Sequence, residues 1–286
     1  MFENIRAGWR LGGATRRLIM QDKQLFIYPL IAVFISIALG ILLVVSFIFM
    51  GTGSALDIAM LIIYYILVYF ISTYVIIAML IAFRSHGKKN AISIGEAFTQ
   101  ARQYWKLALE WAIFDAIVTL IIRLIEGSGR NGSAISGFAG RAIIGSIVGI
   151  AFATASMFAI PVIIDNKVGP IDAIKMSAKF IFKNFGKTFG GFAYADIYSL
   201  MIIIVGIALM VGGLILATSV LALGVIVGIV GFAIFVFGIL FSYVIGNVLR
   251  LIIYDYMTDS SKLPNGLDKD MIEGAMKTNT QRQGNI

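Results

Sequence analysis

The sequence predicts an all-α, polytopic membrane protein whose six transmembrane helices form three tandem hairpins, each preceded by an amphipathic interfacial helix. Hydrophobic residues make up 59% of the chain and charged residues only 13%. Several uncharged runs exceed the roughly eighteen residues that mark a membrane-spanning helix. A short pattern that begins at a lysine also recurs along the chain, and each copy opens one of these runs. The repetition indicates one membrane unit used three times.

The repeat is clearest in segments 106–115 and 187–196. Both segments begin with lysine, carry an aromatic residue five positions later and end with aspartate. A fainter copy, 23–32, has Tyr28 at the aromatic position and Ala32 in place of the acid. Because the copies open hairpins of the same orientation, we expect equivalent residues to lie at the same depth in the membrane.

The boundaries follow from the apolar runs and the polar residues between them. A single membrane domain is expected over residues 1–257 and a polar cytoplasmic tail over 258–286. The six spans are expected at about 27–50, 58–83, 107–125, 142–164, 188–216 and 221–254. Interfacial helices are expected at 2–22, 93–106 and 170–183, where apolar and charged residues fall on different faces.

Local patterns add detail to these elements. Ser93 and Glu96 form a predicted capping box. Pro161 is expected to kink the end of the fourth span, and a tight turn is expected near Thr218 and Ser219. Small residues four apart predict close helix packing in the fourth and sixth spans. These are Gly145, Gly149 and Ala153 in the fourth span and Gly238, Ser242 and Gly246 in the sixth.

The distribution of basic residues predicts the orientation. Of the 23 lysines and arginines, only Arg123, Arg130 and Arg141 fall on the side opposite the termini. The positive-inside rule therefore puts both termini in the cytoplasm and the protein in the cell membrane. The basic residues flank apolar segments, so anionic lipid headgroups at the cytoplasmic face are the expected partner. Nucleic acid is not expected, because no groove motif of aromatic and basic residues accompanies them.

Residues typical of enzyme sites are scarce. The chain has no cysteine and one histidine, His86, which is expected in a basic loop without a second ligand, so neither a thiolate nor a histidine metal site is predicted. H-E-x-x-H, G-x-S-x-G and phosphate-binding glycine loops are also missing. We therefore expect no enzymatic activity, no cofactor and no metal.

A cluster of polar residues inside the predicted spans is the candidate site. It consists of Glu110, Asp115, Asp196, Asn247 and Arg250. If Lys106 and Lys187 mark the cytoplasmic interface, the helical rise puts Asp115 and Asp196 ~13 Å into the membrane and Glu110 ~6 Å. Counted back from Asp255, Arg250 lies ~7.5 Å deep and Asn247 ~12 Å. Depth would let Arg250 pair with Glu110, and Asn247 reach Asp115.

Two functions fit this cluster. The residues could tie the hairpins together, since polar groups bond helices to one another in lipid. They could instead line a pocket, open to the cytoplasm, that binds a cation, a proton or a lipid headgroup. No substrate motif accompanies them, so the favoured function is a non-enzymatic scaffold or a subunit of a larger membrane assembly, as a homo-oligomer or with a protein partner. The alternative is a transporter or channel.

One further pattern lies between the fourth span and the third interfacial segment. It consists of Pro161, Asp165, Pro170, Ala173, Ile174 and Ser177 in that spacing. The pattern resembles a large uncharacterised group of six-span membrane proteins, whose distant relatives include the membrane domain fused to some bacterial glycerophosphodiester phosphodiesterases. The resemblance implies a fold and carries over no catalytic residue. The chain has no hydrolase domain, so the phosphodiesterase activity is not expected.

Overall fold

A computed structural model of the chain describes residues 2–50, 55–87, 91–127, 135–264 and 267. Every regular element in this part of the chain is helical, which confirms the all-α class. The α-helices, in chain order, are α1 (Phe2–Gln21), α2 (Ile27–Met50), α3 (Ala55–Gly87), α4 (Ile94–Ala101), α5 (Trp105–Gly127), α6 (Ile135–Ala155), α7 (Ala159–Asn166), α8 (Pro170–Ala217) and α9 (Leu221–Thr258). Of the predicted tail, residues 265–266 and 268–286 lie outside the described residues.

Within the described residues, five helical stretches are long and apolar enough to cross a membrane. They are Lys23–Phe49, Leu56–His86, Ile144–Asn166, Tyr194–Ala217 and Leu221–Thr258. Five of the six predicted spans therefore have a counterpart, as a multi-pass membrane protein requires. The remaining predicted span, 107–125, falls in α5, where Glu110, Asp115 and Arg123 interrupt the apolar run.

The chain folds into two compact units. The first unit combines Met1–Leu30, Ala82–Ala91 and Asn184–Ile286, and the second combines Ile31–Ile81 and Ile92–Lys183. The first unit therefore holds α1, the end of α3, most of α8 and all of α9. The second holds most of α2 and α3 together with α4 to α7 and the start of α8.

In the first unit, α1 packs against α9. Its buried face consists of Leu11, Ala14 and Ile19, at helical spacing, together with Thr15, whose hydroxyl donates to the Leu11 carbonyl at 2.9 Å. The predicted amphipathic helix is therefore present. Trp9 remains 45% exposed, because it lies on a different face from these residues.

The helices α2 and α3 differ little from the predicted first and second spans. Pro29 stands within the first turn of α2, where its missing N–H needs no partner. At its other end α3 continues through His86. The prediction that His86 lies in a loop is therefore wrong, because no helix breaker precedes Gly87 and the helix runs on past Arg84.

The capping box at the start of α4 is confirmed. The Ser93 hydroxyl accepts from the Glu96 N–H at 3.3 Å, and the Ser93 N–H donates to the Glu96 carboxylate at 2.7 Å. These backbone and side-chain hydrogen bonds from Ser93 lower the pKa of Glu96. A short 3₁₀ turn, Arg102–Tyr104, then leads into α5.

The fourth predicted span is broken into α6 and α7. The break falls three to five residues before Pro161, since a proline has no N–H to donate and its ring clashes with the carbonyl four residues earlier. The backbone N–H of Phe158, inside the break, donates instead to the Ser177 hydroxyl of α8 at 3.0 Å. Both residues are fully buried, so this hydrogen bond ties the break to α8.

The third interfacial segment is not a separate helix. It is the beginning of α8, which runs 48 residues from Pro170 to Ala217 without interruption. The predicted boundary at 184–187 is wrong because that stretch has no proline, and its single Gly186 is tolerated inside a helix. The helix α7 ends at Asn166, and the next residue, Lys167, caps it in a left-handed backbone conformation with φ 52°.

In the first unit, α8 and α9 form a hairpin joined at Thr218–Val220, as predicted. Glycines let their backbones touch: a Cβ added at Gly213 would lie 2.5 Å from the Gly228 nitrogen, and one at Gly206 would lie 2.5 Å from the Phe235 nitrogen. Gly224, Gly231 and Gly238 contribute the same close approach from α9.

Two positions that were predicted to pack closely, Gly246 on α9 and Gly149 on α6, do not do so. A Cβ at Gly246 would meet nothing within 4 Å, and one at Gly149 would make only an ordinary contact of 3.8 Å with Ile122. The predicted ladder in the sixth span is therefore right at Gly238 and wrong at Gly246. Spacing shows that small residues share a face, but the neighbouring helix decides which of them it meets.

Candidate functional site

The five residues of the predicted polar cluster belong to both units. Glu110 and Asp115 lie on α5 in the second unit, whereas Asp196, Asn247 and Arg250 lie on α8 and α9 in the first. The predicted pairs, Glu110 with Arg250 and Asp115 with Asn247, stay predictions. Each group has its own surroundings within its unit.

On α5, Glu110 is exposed and stands beside the turn that leads into α8. A Cβ added at Gly169 would lie 3.5 Å from its carboxylate oxygen Oε2. Gly169 directly precedes Pro170, one of the residues in the proline-containing pattern noted in the sequence. Glu110 is thus at the periphery of the second unit and available to solvent or headgroups.

Asp115 is half-buried and faces hydroxyl groups of α3. It interacts electrostatically with Tyr69, whose hydroxyl donates to Thr119 at 3.5 Å. The ring of Tyr65 lies 5.2 Å from that of Tyr69. Among the described residues, Asp115 has no hydrogen bond or ion pair. This arrangement places a carboxylate near the Tyr69 hydroxyl, which is bonded to Thr119, between α3 and α5.

On α9, three polar residues share one face. Asn247 donates from Nδ2 to the Tyr243 carbonyl at 2.9 Å, and Arg250 donates from Nη1 to the Asn247 side-chain oxygen at 3.4 Å. The structure therefore brings together two of the predicted residues, Asn247 and Arg250. It adds Tyr243, which sequence reasoning missed although it precedes Asn247 by one helical turn.

Asp196 of α8 completes this part of the cluster. Its carboxylate is exposed and interacts electrostatically with the Arg250 guanidinium. The pairing of the two helices explains this, because Ile203 faces Gly238 and Met210 faces Gly231. The same register continues to Asp196 at the level of Ile245, about one and a half turns from Arg250.

A buried ion pair that was not predicted joins the ends of α3 and α9. Arg84 donates from Nε to Asp255 Oδ2 at 3.0 Å and from Nη2 to the other carboxylate oxygen. The side chains of Arg84 and Asp255 are only 16% and 2% exposed. Both residues close an apolar run in the sequence, so their opposite charges at equivalent ends were a usable signal.

A second contact lies near the end of α1. His86 Nδ1 is 3.4 Å from Asp22 Oδ2, and Asp22 also accepts from the Gln24 N–H at 3.2 Å. Asp22 is buried, whereas the His86 side chain is 47% exposed. Asp22 and His86 both belong to the first unit. No group of three or more His, Cys, Asp or Glu able to hold a metal occurs among the described residues.

Aromatic side chains gather where α1 meets α8. The rings of Trp9 and Tyr194 meet edge to face at 4.7 Å, and Tyr194 stacks on Tyr198 at 5.7 Å. The Arg16 guanidinium lies 4.8 Å from the centre of the Tyr198 ring. A combination of tyrosine, tryptophan and arginine is typical of the boundary between hydrocarbon and water.

Comparison with known proteins adds one finding. The sequence profile of a family of unknown function, DUF6159, matches residues 52–262. No curated protein and no solved structure matches the chain. The matched range includes the break before Pro161 and its partner Ser177. The resemblance to the membrane domain of glycerophosphodiester phosphodiesterases stays a prediction.

Proposed function

We propose, given that this chain belongs to the family of unknown function DUF6159, that it is a non-enzymatic integral membrane protein acting as a scaffold or as a subunit of a larger membrane assembly. The proposal includes no catalytic step, no cofactor and no nucleic acid. Its partners are membrane lipids and either a second copy of the chain or another membrane protein.

The observation that carries this proposal is how the buried polar groups are used. The Arg84–Asp255 pair is bidentate and shielded, so it has little capacity left for a ligand. The Ser177 hydroxyl accepts a hydrogen bond from the backbone N–H of Phe158. Groups of this kind fix one arrangement of helices, which is what a scaffold needs.

We further propose that α5 is a sixth span. Its 23 residues are long enough to cross ~30 Å of hydrocarbon. It packs against α6, where the rings of Phe114 and Phe152 lie 6.3 Å apart. With α5 included, the spans form three hairpins, and the distribution of basic residues supports a cell-membrane protein with both termini in the cytoplasm.

The internal repeat receives local support from two helix starts in the second unit. Ala97 and Ala173 hold equivalent places and are both fully buried. Four residues later, Ala101 and Ser177 are also fully buried. Equal burial at equal spacing is what two copies of one packing unit should give.

The exposed apolar surface of α2 is the place to look for a partner. Only 6% of its most apolar stretch is buried, and Phe34 and Phe49 are 68% and 84% exposed. Lipid covers such a face by default, whereas a subunit of an assembly would contact protein there. Large exposed apolar faces of this kind also occur at subunit interfaces.

Photo-crosslinking in the native membrane tests the scaffold or subunit role. A photoreactive amino acid at Phe34 or Phe49 should give adducts of defined mass, equal to a second copy or to one other protein. The matched control is Tyr28 of the same helix, which is 1% exposed and should give none. Lipid adducts alone at both exposed positions would contradict the proposal.

Asp115 supports the second candidate, a transporter or channel for a proton or small cation. A half-buried carboxylate beside Tyr69 and Thr119, without an ion pair among the described residues, is typical of proton and cation pathways. In proteoliposomes, Asp115→Asn should abolish such flux while the fold persists. Asp172→Asn, on an exposed acid, is the control. The scaffold proposal expects no flux above that of empty liposomes in any of these proteins.

A further inference from the structure

One face of α5, in the second unit, changes from closed to open along its length. Ala108, Trp111 and Ala112 on this face are buried. One turn after Trp111, Asp115 is only part-buried, and so is Thr119 after a further turn. The helical period puts all five residues in one stripe along the helix. Packing on this stripe is therefore tight in the first half of α5 and loose from Asp115 onward.

The open part of this stripe does not face lipid. The exposed apolar residues Ile117, Leu120 and Leu124 lie on the opposite side of α5, where lipid would cover them. Asp115 and Thr119 lie on the side that meets α3, whose Tyr69 hydroxyl bonds to Thr119. A side chain that is turned toward other helices and is still part-exposed borders a space between them. The exposure of Asp115 therefore marks a crevice inside the second unit.

The neighbouring helices show the same change. In the described part of α3, every buried residue lies at or beyond Thr73, so the preceding half, which includes Tyr69, is loosely packed. On α6, a Cβ added at Gly149 would meet only Ile122 of α5, at 3.8 Å. The helices α3 and α5 therefore pack closely at one end and loosely toward the other, and α6 leaves room beside Ile122.

The proposed topology decides which end is open. With both termini in the cytoplasm, the closed end lies on the cytoplasmic side, so the crevice opens on the other side of the membrane. Asp115 stands ten residues after Trp105, the start of α5, and is therefore ~15 Å deep. Arg123 is exposed further along the same helix, and a charged side chain there requires water. This opening is opposite to the cytoplasmic one expected from the sequence.

The groups around Asp115 select the kind of ligand. Its carboxylate has no hydrogen bond or ion pair among the described residues, and a negative charge at this depth favours a cation. A divalent metal ion needs about six oxygen ligands, and the described residues hold no group of three or more His, Cys, Asp or Glu for one. An organic ammonium ion pairs with one carboxylate and packs on aromatic faces. The rings of Tyr65 and Tyr69, 5.2 Å apart, provide such faces.

We propose that this crevice between α3, α5 and α6 admits a small organic ammonium ion from the non-cytoplasmic side and binds it at Asp115. The ammonium group pairs with the carboxylate, and the rings of Tyr65 and Tyr69 and the Thr119 hydroxyl line the site. The inference names a ligand class for the second candidate function, and it rests on α5 being a sixth span and on the proposed topology. It does not depend on whether the bound ion is transported.

Cysteine accessibility tests the crevice, since the chain has no cysteine of its own. Thr119→Cys and Ile122→Cys should react with a membrane-impermeant trimethylammonium methanethiosulfonate added to the non-cytoplasmic side of sealed membrane vesicles. Leu120→Cys is the matched control at the same depth, because a thiol surrounded by lipid stays un-ionised and unreactive. Ala112→Cys is the control for the closed end. Neither control should react from either side.

The charge of the reagent tests the role of Asp115. The rates of the trimethylammonium reagent and of its sulfonate counterpart are each divided by the rate with a free thiol in solution. At Thr119→Cys the ratio should favour the cation. Adding Asp115→Asn should lower the ratio about tenfold, because a unit charge about one helical turn away is removed, and adding Arg123→Gln should raise it. An unchanged ratio with Asp115→Asn would overturn the proposed site.

Protection from labelling tests the ligand class. Choline at millimolar concentration should slow the labelling of Thr119→Cys several-fold. The neutral isostere of choline, in which carbon replaces the ammonium nitrogen, should not slow it, and neither should sodium at the same concentration. Equal protection by sodium would overturn the organic class of the ligand, and no protection by choline would overturn the binding site.

A reference position separates a failure of the crevice from a failure of the topology. Gln100→Cys, at an exposed position on α4, should react only from the cytoplasmic side. If Gln100→Cys and Thr119→Cys each react from the side expected of the other, the topology is wrong and the crevice stands. If both react from one side, the outward opening is overturned. If Thr119→Cys and Ile122→Cys stay unlabelled while Gln100→Cys reacts as expected, the crevice is overturned and the topology stands.

Discussion

Two hairpins of this protein are about equally apolar and are packed in different ways. Along α8 and α9, glycines bring the two backbones into contact, as at Gly213 and Gly228. Between α2 and α3, the nearest atom to a Cβ added at Gly40 is the Tyr64 hydroxyl at 3.3 Å, the end of a flexible side chain. A groove of about 460 Å³ remains there, lined by Ile37, Ile41 and Tyr64 among others.

The difference teaches that hydropathy decides whether a helix enters the membrane but not how tightly it packs. In lipid, two apolar helices gain little by excluding water, so close van der Waals contact has to hold them together. The seam of α8 and α9 offers such contact at regular intervals. The helix α3 has no glycine before Gly87, and it is held instead at its end by the ion pair of Arg84 with Asp255.

The largest effect is expected from breaking that end contact. Arg84→Gln or Asp255→Asn leaves one buried charge without its partner, and this should lower the free energy of unfolding by ~3–5 kcal/mol. Chemical unfolding in detergent measures it. The exposed pair Asp172–Lys175 is the control, since losing it should cost less than ~1 kcal/mol. Similar costs for both pairs would show that Arg84 does not anchor α3.

A smaller effect is expected from widening the glycine seam. Gly213→Leu forces a side chain onto the backbone at Gly228 and should cost ~1–3 kcal/mol or more. Its neighbour Gly212 provides a matched control, because a Cβ there meets nothing within 4 Å. Gly212→Leu should be neutral or stabilising in thermal unfolding. Equal losses in the two variants would mean that the backbones do not meet at Gly213.

In the second unit, a hydrogen bond between Phe158 and Ser177, rather than close backbone contact, holds the helix break against α8. Ser177→Ala leaves the buried N–H of Phe158 unpaired and should cost ~1–3 kcal/mol. Ser156→Ala removes a hydroxyl that bonds only within its own helix region, to the Ala153 carbonyl, and should change little. Comparing the melting temperatures of the two variants isolates the contribution of the bond between the helix break and α8.

The smallest effect is expected at the loosely packed hairpin. Gly40→Ala places its methyl group near the Tyr64 hydroxyl, which can move aside, while alanine favours a helix over glycine by ~1 kcal/mol. The unfolding free energy should therefore stay within ~1 kcal/mol of the wild type or rise slightly. A loss as large as that of Gly213→Leu would remove the distinction between the two hairpins.

Features that depend on residues close in sequence were predicted, whereas several that depend on contacts between distant residues were missed. The turn at Thr218, the Ser93–Glu96 cap and the start of α2 depend on residues close in sequence, and all three were predicted. The continuity of α8 was missed, because nearby basic residues were taken as the end of an interfacial segment. The seam was predicted at Gly238 and missed at Gly206, since the partner helix decides which small residues touch.

The same distinction between local and long-range contacts applies to the candidate site. Asn247 and Arg250 were grouped from their depth alone, and their contact along one helix is local. Tyr243 was passed over because tyrosine in a span has an apolar explanation. The Arg84–Asp255 pair joins positions 171 residues apart. The sequence shows two opposite charges at the ends of apolar runs, but only packing shows that they pair. The surroundings of Asp115 likewise depend on which face of α3 it meets.

The glycines of the α8–α9 seam recur every seven residues, at 206 and 213 on one helix and at 224, 231 and 238 on the other. A seven-residue period keeps contacts on one line when two helices wind gently around each other with a left-handed twist. Sliding one helix by a single residue would therefore move every glycine away from the backbone atoms that it now meets. The next register with the same contacts lies ~10.5 Å away, far beyond thermal fluctuation. The hairpin therefore keeps the residues at its open end at fixed positions relative to one another.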